Sequence, residues 1–134
     1  AQILNLLEDM KVRYGITLLF ITHDLGVVKN ISDRVIVMYL GRICEVATPD
    51  RLFTEAVHPY TQLLLESVPR VSTQGREQRE PAPAGELPSA VSPPSGCRFR
   101  TRCPLAQEIC ARETPEMQQV APDHFVACHF PTRG

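Results

Sequence analysis

No stretch of this 134-residue chain is apolar for long enough to cross a bilayer. The longest apolar runs, residues 16–21 (broken by Thr17) and 35–40, fall far short of the ~20 residues a spanning helix needs. Charge of one sign is also missing. Fourteen Lys and Arg against fifteen Asp and Glu give a formal net charge of -1, which offers no bulk attraction to nucleic acid or anionic lipid. None of the seven glycines precedes a lysine, so there is no G-x-x-x-x-G-K-[ST] loop to cradle phosphates. No apolar strand pattern ends in an acidic pair that could hold magnesium. No charged-then-apolar leader stands at Ala1, so secretion finds no support. The chain opens without Met and inside a helical pattern, and a fragment of a longer protein is expected. Internal repeats are absent. What remains is close to a globular average, with 43% hydrophobic and 22% charged residues. That excludes wholesale disorder and fits about one domain.

Composition divides the chain into three zones. Residues 1–68 are rich in Leu, Ile and Val and are expected to be part of a compact domain. Residues 69–96 carry six of the twelve prolines and are expected to form an irregular or polyproline-like linker. Residues 97–134 hold four of the five cysteines. In the first zone, Ile3, Leu6, Leu7, Met10 and Tyr14 follow helical spacing, with Gly15 as the cap. Residues 17–22 read as a strand buried on both faces, of the kind found in parallel sheets. A helix carrying Leu25, Val28 and Ile31 follows. Residues 34–40 and 43–46 read as a hairpin turning at Gly41-Arg42. Pro49 opens a short helix, and Pro59 opens another that bears Leu63, Leu64 and Val68. The expected class is the closing portion of an α/β domain, with too few strands for a whole one.

His23 stands between a strand pattern and a helix pattern. Ligands of open α/β sheets bind at that junction, and an imidazole there can donate to a phosphate oxygen or orient a water. It can equally fill a turn while Thr22 or Asp24 caps the helix. Cys97, Cys103, Cys110 and Cys128 fall in a segment poor in large apolar groups, which needs a staple to fold. Two disulfides, a zinc ion or an iron–sulfur cluster would each serve. His124 and His129 bracket Cys128 and offer substitute ligands, though such residues are usually solvated. Cys44 reads as a small core residue. Arg98, Arg100 and Arg102 would share one face of an extended segment. Without an aromatic ladder for base stacking, they fit a cationic shell around the thiolates better than a nucleic-acid contact. His58-Pro59-Tyr60 shows no chemistry beyond a proline-started helix.

The segment Leu18-Leu19-Phe20-Ile21-Thr22-His23-Asp24-Leu25 resembles the switch-histidine segment of ABC-transporter ATPase domains. Ser32-Asp33-Arg34 through Ile43 resembles the strand and hairpin that follow it in that family. His58-Pro59-Tyr60-Thr61, Pro93-Pro94-Ser95-Gly96-Cys97-Arg98-Phe99 and Arg102-Cys103-Pro104 are similar to the C-terminal extension of the oligopeptide/dipeptide importer ATPases. The resemblance implies that His23 senses the γ-phosphate of ATP in an intact, magnesium-dependent ATPase dimer. It places the phosphate loop, glutamine loop, signature motif and magnesium-binding strand upstream of Ala1. This chain alone is then expected to be inactive.

The implied partners are a second ATPase subunit, transmembrane permease subunits and, indirectly, a peptide-binding protein, with no nucleic acid. The implied location is the cytoplasmic face of a bacterial or archaeal inner membrane. A cytosolic setting argues against disulfides, and no close C-x2-4-C pair of the zinc type exists. The resemblance implies a [4Fe–4S] cluster on Cys97, Cys103, Cys110 and Cys128, with zinc as the alternative. A stand-alone metal- or iron–sulfur-binding regulatory module remains the other reading of the chain.

Overall fold

The computed structural model describes residues 2–66 and 91–132. Most of the expected proline-rich linker lies outside them. The order is α1 (Gln2–Tyr14), α2 (Leu25–Ile31), β1 (Val35–Tyr39), β2 (Arg42–Ala47), α3 (Pro49–Glu55), α4 (Pro59–Glu66), α5 (Glu108–Arg112), β3 (Gln118–Ala121) and β4 (His124–Val126).

Helix α1 stops where expected, with Gly15 in the left-handed region at φ +62, a conformation glycine adopts without a Cβ penalty. Helix α2 starts at Asp24, whose Oδ1 accepts from the backbone N–H of Gly26 (3.0 Å) and Val27 (3.4 Å). Between them, residues 15–22 form neither helix nor strand, against the expected buried strand at 17–22. Leu19 and Ile21 are 87% and 89% exposed. A doubly buried strand needs neighbours on both edges and cover on both faces, and among the described residues it has none.

The four strands form one antiparallel sheet in the order β1-β2-β4-β3, not the parallel sheet the apolar runs suggest. The hairpin turn has both Leu40 (φ 46) and Gly41 (φ 77) left-handed, matching the turn that suits a twisted two-residue hairpin. Strand β1 alternates: Val35, Val37 and Tyr39 are buried while Ile36 and Met38 are about half exposed. In β2 the run from Cys44 to Ala47 is buried throughout. The pairing slips there, since Val37 faces Glu45 and Met38 faces Ile43. Cys44 is the extra residue of a bulge, which re-aims the side chains that follow it.

The cysteine-rich segment is not a free-standing appendage. β4 pairs with β2 through Glu45↔Val126 and Val46↔Phe125, and the Ala127 N–H donates to the Cys44 carbonyl (2.8 Å). Phe99, 2% exposed, packs into the core with Val35, Val37, Tyr39, Ala47 and Leu52. Its ring lies 5.3 Å from Tyr39, 5.2 Å from Tyr60 and 6.0 Å from His58, distances at which aromatic pairs attract. Among the described residues no helix is long and apolar enough to cross a membrane.

Candidate functional site

Cys97, Cys103, Cys110 and Cys128 line a single cavity together with His58, Phe99, Leu105, His129 and Phe130. The four thiols that the sequence singles out as candidate ligands share this cavity. Pro104 does not begin a helix that ends at Cys110. Residues 103–106 turn, with the Ala106 N–H donating to the Cys103 carbonyl (3.3 Å). Cys110 sits inside the later helix α5, and Cys128 lies just beyond strand β4. Proline at position 104 suits a turn as well as a helix start, so its presence could not decide between them.

One backbone junction sets the pocket. Gly96 has φ +65 and lies so close to the end of α5 that a Cβ would overlap the Cys110 carbonyl and come within 3.0 Å of the Ala111 backbone. This approach lets the Cys97 N–H donate to the Cys110 carbonyl (2.8 Å) and Ser95 Oγ donate to the Ala111 carbonyl (2.9 Å). Burial pushes the Cys97 and Cys103 thiols up from their ordinary value, and Cys128 up to about 11, with neighbouring cysteines adding to the effect. The Arg100 guanidinium opposes this at Cys97. Cys44 is buried as expected, and burial raises it to about 12.

The cavity that the four thiols help to line is small, about 10 Å³, room for one water molecule at most. Among the described residues no three His, Cys, Asp or Glu side chains are arranged to hold a metal ion. The donors nevertheless suit soft-metal chemistry, because thiols and no carboxylate line the cavity.

The arginines do not share a face. Residues 98–102 are turns rather than extended chain. Arg98 Nη1 donates to the Leu40 carbonyl of the hairpin turn, and Arg100 bonds Ser95 through Nε (2.9 Å) and Nη2 (3.2 Å). His129 bonds the Glu113 carbonyl (2.8 Å).

His124, read from sequence as a solvated residue or spare ligand, is neither. It is 1% exposed, and its Nε2 pairs with Oε2 of Glu45, itself fully buried. The same carboxylate accepts from the N–H of Val57 (3.1 Å) and His58 (3.0 Å). The signal that could have found it is Glu45 itself, a carboxylate inside an apolar strand, which must be paired when buried.

His58-Pro59-Tyr60 also proves structural. His58 Nδ1 accepts from the Tyr60 N–H (3.0 Å), capping α4, while the ring also bonds the Ala127 carbonyl. Two opposite bonds hold the neutral imidazole, and burial lowers its pKa to about 4. Folding therefore favours neutral His58. Its contribution is complete above the unfolded value near 6.5 and is lost as pH falls from about 6.5 toward 4. The loss reaches about 3 kcal/mol at most. His58→Asn, which keeps an acceptor for the cap, is expected to flatten the melting-temperature profile between pH 6.5 and 4. An unchanged profile would assign that acid sensitivity elsewhere.

His23 is exposed at the start of α2, and among the described residues its imidazole has no hydrogen-bond partner. Thr22 Oγ1 accepts from the Asp24 N–H (3.1 Å), so the turn is held by its neighbours and leaves the ring free.

The family profile described as the C-terminal region of the oligopeptide/dipeptide transporter matches residues 44–110. That span includes the bulge, the His58 cap, Gly96 and three of the four pocket cysteines. The oligopeptide transport ATP-binding protein AppF of Bacillus subtilis is 51% identical over 131 residues, 97% of this chain and 40% of its own length. A protein of Brucella ovis ascribed to peptide import as its ATP-binding component is 50% identical over 128 residues, 96% of this chain and 40% of its own. The chain thus spans about 40% of the length of the curated relatives it matches. By this profile the chain belongs to the oligopeptide/dipeptide transporter C-terminal family.

Proposed function

We propose that this chain is the C-terminal part of the ATP-hydrolysing subunit that energises import of oligopeptides or dipeptides. The observation that carries this reading is the match to transport ATP-binding proteins at about 50% identity over nearly the whole chain. The apolar surface supports it. Ile3, Leu6 and Tyr14 of α1, the 16–21 segment, and Ile36 and Met38 of β1 are all exposed, as expected where further chain packs. ATP and magnesium would be held by upstream segments, since this sequence has no phosphate loop. The subunit would pair with a second ATPase subunit and sit against permease subunits at the cytoplasmic face of the membrane. A peptide-binding protein would deliver the solute.

In that assembly His23 would contact the γ-phosphate when two ATPase subunits close. A donor that acts on developing charge contributes to turnover more than to ground-state affinity. In the full-length subunit His23→Ala is expected to lower kcat about 10²–10³-fold, the size seen for loss of one such donor, with ATP affinity little changed. Lost affinity with kcat retained would reject this role, and retained turnover would reject the assignment of the segment.

The cysteine cavity would hold a [4Fe–4S] cluster through Cys97, Cys103, Cys110 and Cys128. The lining of thiols without a carboxylate is the donor set such a cluster takes, and the lack of a close C-x2-4-C pair speaks against zinc. Bound iron would keep the thiols deprotonated despite their burial. Anaerobically prepared protein is expected to be brown, and Ser at any one of the four positions should bleach it, whereas Cys44→Ser should not. A colourless preparation with one zinc per chain would reject the cluster.

A further inference from the structure

A second and larger cavity, about 350 Å³, opens between the hairpin tip and the loops at Gly96 and Thr114. We propose that it is a binding site for a small amphipathic carboxylate, a molecule with one carboxylate and an apolar body. This inference stands apart from the transport reading.

The volume lies in the range of small-molecule sites, which are mostly apolar with a few polar groups fixing orientation. Tyr39, Ile43, Phe99, Pro115 and Met117 supply the apolar walls. Arg42 and Arg98 supply the polar groups, and no Asp or Glu lines the cavity. Two arginines in the lining, with no Asp or Glu beside them there, give the cavity a local excess of positive charge. Lys11 and Arg51, by contrast, are matched by Asp33 and Glu55.

Arg98 is anchored through one nitrogen to the Leu40 carbonyl, which holds its guanidinium in place and leaves other donors of the planar fork unspent. Arg42 is exposed and makes no ion pair among the described residues. A guanidinium meets a carboxylate through two parallel hydrogen bonds. The apolar walls favour one such group on a hydrophobic body over a strongly hydrated phosphate. The volume stands at the small end of the range for small-molecule sites, which suits a ligand the size of an acylated amino acid.

N-acetylphenylalanine and its primary amide form the decisive pair of probes, since they share shape and differ in charge. Titrated calorimetrically into the full chain, the acid is expected to saturate one site and the amide to bind at least tenfold more weakly. Arg42→Gln should weaken the acid about tenfold and leave the amide unchanged. Met117→Glu, which places a carboxylate on the partly exposed wall, should abolish acid binding without unfolding the chain. No saturation by 10 mM acid, equal binding of acid and amide, or indifference to Arg42→Gln would each overturn the proposal. Inorganic phosphate displacing the acid at equal concentration would replace the carboxylate by a simple anion and overturn it as well.

Discussion

Gly96→Ala is expected to detach the cysteine loop from α5 while leaving the hairpin in place. The left-handed conformation at φ +65 costs a non-glycine residue about 1–2 kcal/mol. The larger part is steric. The new methyl would overlap the Cys110 carbonyl and press on Ala111 C and O at 3.0 and 3.1 Å. All three are backbone atoms at the end of a helix, so no side chain can swing aside. Relief requires moving the loop, which breaks the Cys97-to-Cys110 and Ser95-to-Ala111 bonds and the Thr114 Oγ1 bond to the Gly96 carbonyl. The total should exceed about 3 kcal/mol, in the range reserved for strained backbone and core disruption. Trypsin should then cut at Arg98, Arg100 and Arg102 at least tenfold faster. Gly15→Ala is the control, because Gly15 has nearly the same φ (+62) and nothing within 4 Å of its Cβ position. If the two variants lost equal stability, conformation alone would explain Gly96 and the close approach would carry no weight.

The hairpin is legible in the sequence because its signals are local. Gly41 marks the turn, and two β-branched runs flank it. The caps of α1 and α2 are legible for the same reason, since Gly15 and Asp24 act on their own helix ends. Family membership is legible from the His58, Gly96-Cys97 and Cys103-Pro104 motifs. What escapes is everything set by distant partners. Apolar runs cannot report whether a covering layer is present, so residues 17–22 read as a strand that the described residues do not pair. The bulge at Cys44 depends on how β1 and β2 register, and no composition encodes it. His58 and His124 look like idle residues because each acts on a partner far along the chain. The four cysteines are found from spacing and composition, yet their common cavity depends on Gly96 and Phe99, whose roles appear only in three dimensions.

Glu45→Ala is expected to be the most destabilising single change in the domain. The carboxylate is fully buried and is the common acceptor for Val57 N–H, His58 N–H and His124 Nε2. These donors come from the turn before α4 and from β4, so one side chain fastens both to the bulged strand. Removing it leaves three donors unsatisfied out of reach of water. Each such group costs about 1–3 kcal/mol, and breaking a buried pair by deleting one partner costs about 3–5 kcal/mol. Glu45→Gln keeps one acceptor oxygen and should lose about half as much. His124→Ala should cost less than Glu45→Ala, since both backbone bonds to the carboxylate survive. The double variant should then be only slightly worse than Glu45→Ala alone, because His124 has no acceptor left to lose. Urea denaturation of the four proteins gives the coupling, expected at about 1–3 kcal/mol. Additive losses would mean that His124 and Glu45 act independently. A cost below about 1 kcal/mol for Glu45→Ala would mean that the carboxylate is not what holds β4 and the α4 turn to the hairpin.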